Sequence, residues 1–143
     1  MRKFVTIKQV KLIILQTIKN KDMQMFVGSN FNKFFKIKRI FIINCKNFKK
    51  NIRGKHAHKI DEQIVTCPHG AIEFTVFDGF AKKKFIIKSP QKAIYVPKYI
   101  WTETKYLKKN TVVIVYSSQN YKEESYIRDI EQFKKLIYSR KRK

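Results

Sequence analysis

Short bursts of β-branched and aromatic residues, separated by turn signals, recur along most of this chain and leave little of it to helices. Strands are expected from Phe4 to Leu15, Met23 to Val27, Lys36 to Ile43, Gln63 to Cys67, Ala71 to Phe77, Lys83 to Ile87, Ala93 to Val96, Thr102 to Tyr106 and Thr111 to Tyr116. Between them fall Pro68-His69-Gly70, Asp78-Gly79, Ser89-Pro90 and Lys109-Asn110. Such residues preset or tolerate turn backbone, and a spacing of about 8 to 12 residues marks a small all-β sandwich or barrel. The expected fold is mainly β, a jelly-roll barrel. Only the end changes period. From Glu123 onward, Ile127, Ile130, Phe133 and Ile137 line one face of a single C-terminal helix, with Glu123 and Glu124 near its positive N-terminal end. A chain of 143 residues suits one domain, read here as 1–138, with a basic tail over 139–143.

The charge balance has to be fitted to that architecture. Thirty-three Lys and Arg against 10 Asp and Glu leave +23, which raises a polyanion partner. Yet the lysines are scattered from Lys3 to Lys143, and only Ser139-Arg-Lys-Arg-Lys143 is dense. Lys, Ile, Asn and Phe share A/T-rich codons, so base composition accounts for most of the excess. A nucleic-acid partner is not expected. At 43% hydrophobic and 14% aromatic residues, the chain has enough apolar surface to fold, which excludes a disordered basic tail. Cys45 and Cys67 form no CxxC pair, as befits reduced thiols. Met1-Arg-Lys opens like a leader, but Lys8 and Lys11 break the apolar stretch that follows. No run approaches the ~18 apolar residues of a membrane span. A cytoplasmic protein without a membrane partner is expected.

Chemistry concentrates in Arg53-Gly54-Lys55-His56-Ala57-His58-Lys59. Residues two apart in extended chain share a face, so His56 and His58 project together. Imidazoles, ordinarily titrating near ~6.5, are suited to take and return protons at neutral pH. The ordinary alternative is a pair of polar residues at a strand edge. His69, in its Pro-His-Gly turn, has no partner by spacing and reads as an exposed turn residue.

His56-x-His58, then Gln63, then Gly70, resembles the first cupin motif, in which two histidines and a carboxylate bind a metal inside a jelly roll. Here Gln63 stands for the carboxylate. Pro97-Lys98-Tyr99-Ile100-Trp101-Thr102 fits the second motif in frame, with Tyr99 for its glycine and Thr102 for its histidine. An amide and a hydroxyl do not replace those ligands, so no metal is expected.

The whole pattern resembles the WxcM-like sugar 3,4-ketoisomerases that act on dTDP-4-oxo-6-deoxyglucose. The resemblance runs from about Phe35 to Phe133 and rests on Ile37-Lys38-Arg39, the Arg53 to Lys59 block with Gln63, Asp78-Gly79, Ala93 to Trp101, Ser117-Ser118, and Tyr121 to Arg128. It implies a cupin-type barrel and a cofactor-free reaction feeding synthesis of a 3-amino-3,6-dideoxyhexose for surface glycans. It also implies His58 as base at C3 with His56 as partner, and Arg53 beside the enediolate or pyrophosphate. Gln63 would meet a sugar hydroxyl or orient a histidine, Arg39 the phosphates, and Trp101 the sugar or base, with Thr102 beside them. Tyr126 and Arg128 are read as packing the helix. The family further implies a homodimer with exchanged N-terminal strands, consistent with an apolar Phe4 to Leu15 strand unsuited to a free edge. Two departures stand out: the strand Arg39-Ile40-Phe41-Ile42-Ile43 lacks the tyrosine common in the family, and Thr102 replaces the His or Arg after the tryptophan. The alternatives are a cupin 3,5-epimerase on the same substrate, and a non-catalytic basic jelly roll binding sugar or nucleic acid.

Overall fold

The computed structural model describes residues 4–48 and 52–143; the Met1-Arg-Lys opening lies outside the described residues. Two five-stranded antiparallel sheets face each other. The first runs β1-β9-β6-β11-β4, from β1 (Lys11–Ile14), β9 (Lys92–Val96), β6 (Gln63–His69), β11 (Thr111–Ser117) and β4 (Arg39–Cys45). The second runs β12-β5-β10-β7-β8, from β12 (Tyr126–Ile127), β5 (Ile52–His58), β10 (Trp101–Tyr106), β7 (Ile72–Phe77) and β8 (Lys82–Ile87). A hairpin of β2 (Gln16–Lys19) and β3 (Gln24–Val27) stands apart, and one helix, α1 (Ile130–Lys141), ends the chain. This is the mainly β jelly roll with a C-terminal helix that the turn spacing predicts.

Alternation builds the core. In β11, Thr111, Val113, Val115 and Ser117 are buried while the residues between them are half-exposed. Val113 and Val115 meet Val65, Phe74, Val76 and Ile94 between the sheets. The other side of the first sheet is covered by Phe31 and Phe35, which pack with Ile13, Ile64 and Tyr95. Cys45 and Cys67 are buried free thiols, and burial pushes Cys67 up to about 11.

Three local expectations need correction. The Phe4 to Leu15 run is not one strand: Thr6 caps a single 3-10 turn at Ile7–Gln9, where the Gln9 side chain accepts from the Thr6 amide at 2.6 Å. Only Lys11–Ile14 is strand, and it pairs with β9 of the same chain. The helix starts later than Glu123, because Asp129 caps it by accepting from the Gln132 amide at 2.7 Å. Glu123 and Glu124 instead occupy a 3-10 turn, and Ile127 lies in β12. Finally, α1 continues to Lys141, so most of the terminal basic block is helical. The helix docks so closely on the Asp78-Gly79 turn that a Cβ on Gly79, whose φ is 95°, would lie 2.7 Å from Ile137 Cγ2.

Candidate active site

The edge strand β4 of the first sheet and β5 of the second, which has the short β12 outside it, both line one cavity, whose character follows from strand parity. From the first sheet, Phe41, Ile43, Gln63, Val65, Val113 and Val115 face inward. From the second come Thr102, Thr104 and Tyr106, alternate residues of β10, with His56 of β5. Tyr126 completes the wall of this cavity of about 170 Å³.

Strict alternation along β5 would send Arg53 to the opposite face from His56. A bulge reverses this. Thr102 pairs with His56 but Thr104 with Arg53, so β5 has one residue more than β10 over the interval. Gly54 supplies the left-handed backbone, with φ at 85°, as bulges of this type require. Arg53 is thereby brought onto the cavity wall beside His56. It also lines a neighbouring cavity of about 370 Å³ that reaches Lys46 and Asn47.

The two imidazoles meet at Nε2–Nε2 3.0 Å, with ring planes at 87°. Burial, then the neighbouring imidazole and the Arg128 charge, hold His56 down to about 3. Burial, then the charges of Arg39 and Arg128, hold His58 down to about 4. Both rings are therefore neutral at neutral pH, and one Nε2 carries a proton that the other accepts. His56 is half-buried on the cavity wall, whereas His58 is only 6% exposed.

Behind the pair, Ser117 of β11 is paired to Arg39 on one side and Gln63 on the other. Its hydroxyl accepts from Arg39 Nη2 at 3.3 Å and Gln63 Nε2 at 3.2 Å. Buried Asp61 accepts from the same two groups at 3.4 and 3.1 Å, and also from the Ser118 hydroxyl and Gln119 amide. Arg39 also lies over the rings of Phe41 and Tyr121. Gln63 thus directs its amide donors into this network rather than at a histidine. Thr102 leans on the His56 carbonyl at 3.5 Å. This donor set does not fit a metal: among the described residues no three His, Cys, Asp or Glu side chains group to hold one.

Two aromatics lie apart from their expected places. Trp101, expected at the sugar, is 4% exposed on the outer face of β10, packed with Ala57, Ile127, Phe133 and Ile137, and its Nε1 donates to Glu103. Parity explains it, because Trp101 precedes the inward Thr102. Tyr126, read as packing, instead sets its ring 4.4 Å from His58 and 5.1 Å from His56. Asp61 and Ser117 were not anticipated as site residues; the phase shared by Arg39, Gln63 and Ser117 is the signal that finds them. His69 is exposed at the end of β6. Tyr99, at the position of the cupin glycine, adopts φ 63° and donates its amide to the His58 carbonyl at 2.7 Å.

Residues 8–138 match the family described as FdtA: WxcM-like, C-terminal. The chain belongs to this family. A TDP-4-oxo-6-deoxy-α-D-glucose-3,4-oxoisomerase of Aneurinibacillus thermoaerophilus is 34% identical over 112 residues, 78% of this chain and 79% of the relative. Among solved structures, the sugar 3,4-ketoisomerase QdtA of Thermoanaerobacterium thermosaccharolyticum, in complex with TDP, matches with a TM-score of 0.86 at 25% identity, over 94% of this chain and 98% of its own. WlaRA, a TDP-fucose-3,4-ketoisomerase of Campylobacter jejuni, matches with a TM-score of 0.80 at 30% identity, over 90% of this chain and 95% of its own. These two solved ketoisomerases thus share with this chain the barrel on which the histidine pair sits.

Proposed function

We propose that this chain is a sugar nucleotide 3,4-ketoisomerase that converts dTDP-4-oxo-6-deoxyglucose to a dTDP-3-oxo-6-deoxyhexose, on the way to a 3-amino-3,6-dideoxyhexose of surface glycans. The observation that carries the reading is the imidazole pair, with Nε2 atoms 3.0 Å apart, whose His56 lines a mostly apolar cavity. The C4 ketone acidifies the C3 proton. A neutral imidazole removes that proton, the electrons pass to the C4 oxygen, and an enediolate forms. Protonation at C4 and loss of the C3 hydroxyl proton leave the ketone at C3. The ketone itself holds the negative charge, so the chemistry asks the chain for positioned proton transfer, worth about 10²- to 10⁴-fold.

His56 is the imidazole in contact with the cavity and acts at the sugar; His58, behind it, exchanges the proton. This reverses the order implied by the resemblance, because His58 is almost wholly buried. Arg53 stands where the two cavities meet, which suits the diphosphate between a sugar in one and a nucleoside in the other. Arg39, Gln63 and Thr102 shape the sugar end. The family match and the 34% identical relative favour this reaction over 3,5-epimerisation.

The single domain, with α1 included to Lys141, works as a homodimer. The β2–β3 hairpin supports this: it joins neither large sheet, and Ile18 and Met25 on it are exposed. Among the described residues no helix is long and apolar enough to cross a membrane, in keeping with a cytoplasmic enzyme. Incubation with the sugar nucleotide in D₂O, followed by NMR, tests the function: a 3-oxo product supports it, and a product that stays a 4-ketone contradicts it.

A further inference from the structure

The segment from Tyr121 to Arg128 is attached to the barrel by the two-residue strand β12, which pairs Tyr126 with His58 and Ile127 with Ala57. Its side chains are more highly organised than so short a strand requires. Arg128 lies 4.5 Å from the centre of the Tyr126 ring. Glu123 grips that guanidinium at both oxygens, accepting from Nε at 2.7 Å and Nη2 at 2.9 Å. The Tyr121 hydroxyl donates to the same carboxylate, and its ring packs 5.5 Å from Tyr126.

Stability does not account for this assembly. The side chains of Arg128 and Glu123 are 54% and 56% exposed, and exposed ion pairs add little to folding. The histidines, however, need something to orient them. A working imidazole is usually held through its second nitrogen, yet among the described residues no group bonds the buried His58 Nδ1. The flanking ring that touches both imidazoles is Tyr126.

Resting on the ketoisomerase reading, we propose that Arg128 is a positioning residue for the histidine pair, acting through Tyr126 and held by Glu123. A planar guanidinium in a bidentate grip is a stiff support, which a lysine does not reproduce. Arg128 also acts by its charge. It disfavours the imidazolium of both histidines; Arg39 reinforces it at His58, while Glu123 and Asp61 oppose it at His56. The pair is thereby kept oriented and neutral.

The test uses the full chain with three variants, Arg128→Met, Arg128→Lys and Glu123→Gln. Turnover of dTDP-4-oxo-6-deoxyglucose gives kcat and KM, and NMR of labelled histidines without substrate gives their titration midpoints. In Arg128→Met, kcat should fall about tenfold at nearly constant KM and thermal stability, since small misplacements of reacting groups are costly. Both imidazole midpoints should move upward. Arg128→Lys should keep the midpoints low but lose several-fold in kcat, separating the fork from the charge, and Glu123→Gln should lose kcat likewise. Wild-type kcat and unmoved midpoints in Arg128→Met overturn the proposal. If the wild-type chain does not turn over the sugar nucleotide, the ketoisomerase reading fails, while the imidazole midpoints still decide the role of Arg128.

Discussion

The two faces of β5 carry opposite environments one residue apart. Ala57, with no exposed surface, points into a dry cluster with Trp101, Ile127, Phe133 and Ile137 under α1. His56 and His58 point the other way, His56 onto the cavity wall with Arg53 and Tyr126, and His58 against the Tyr126 ring. A strand one residue wide therefore separates a packing problem from a chemical one. The helix face needs volume, while the cavity face needs orientation and control of charge.

Substitutions on the two faces should accordingly fail in different ways. On the cavity face, His56→Asn should lower kcat by about 10²- to 10⁴-fold with a near-normal melting temperature, read by a coupled rate assay and a thermal melt. On the helix face, Trp101→Ala should cost roughly 3 to 5 kcal/mol in a denaturant titration, while the folded fraction keeps most of its turnover. A large loss of kcat per folded molecule in that variant would return Trp101 to the site.

Acid separates the faces again. His56 and His58 titrate near 3 and 4 in the folded chain but near 6.5 in the unfolded one. Between those values the unfolded chain binds more protons, so stability is full above about 6.5 and falls as the pH drops towards 4. A double His56→Asn, His58→Asn variant should lose much of that acid sensitivity in melts taken across the window. Trp101 variants should retain it.

The smallest effect tests the bulge. Among the described residues a Cβ on Gly54 has its nearest non-adjacent neighbour at 3.7 Å, so Gly54→Ala is limited by its φ of 85° and not by space. It should cost about 1 kcal/mol and raise KM several-fold as Arg53 turns from the cavity. An unchanged KM would mean that Arg53 does not meet the substrate.

These faces also show how far the sequence could be read. The histidine pair was legible because extended chain alternates, and the jelly roll because turn signals are evenly spaced. The aromatic partners were not: Trp101 and Tyr126 each lie in strand pairings set by distant residues, Trp101 opposite Phe77 and Tyr126 opposite His58. Asp61 was hidden for a related reason, since its partners Arg39, Gln63 and Ser118 come from three separate regions of the chain. The helix start was misplaced because Asp129 is a better cap than the glutamates before it. The bulge is written plainly in Arg53-Gly54, but only the pairing with Thr102 and Thr104 reveals what it does.

The central claim is that the cavity-facing imidazole moves a proton between C3 and C4. Its most direct test compares wild-type and His56→Asn chains with dTDP-4-oxo-6-deoxyglucose in D₂O, following the C3 proton by NMR. The account predicts loss of the C3 proton and formation of the 3-oxo isomer in the wild type, with both slowed by about 10²- to 10⁴-fold in the variant. Exchange at the wild-type rate in His56→Asn would contradict it.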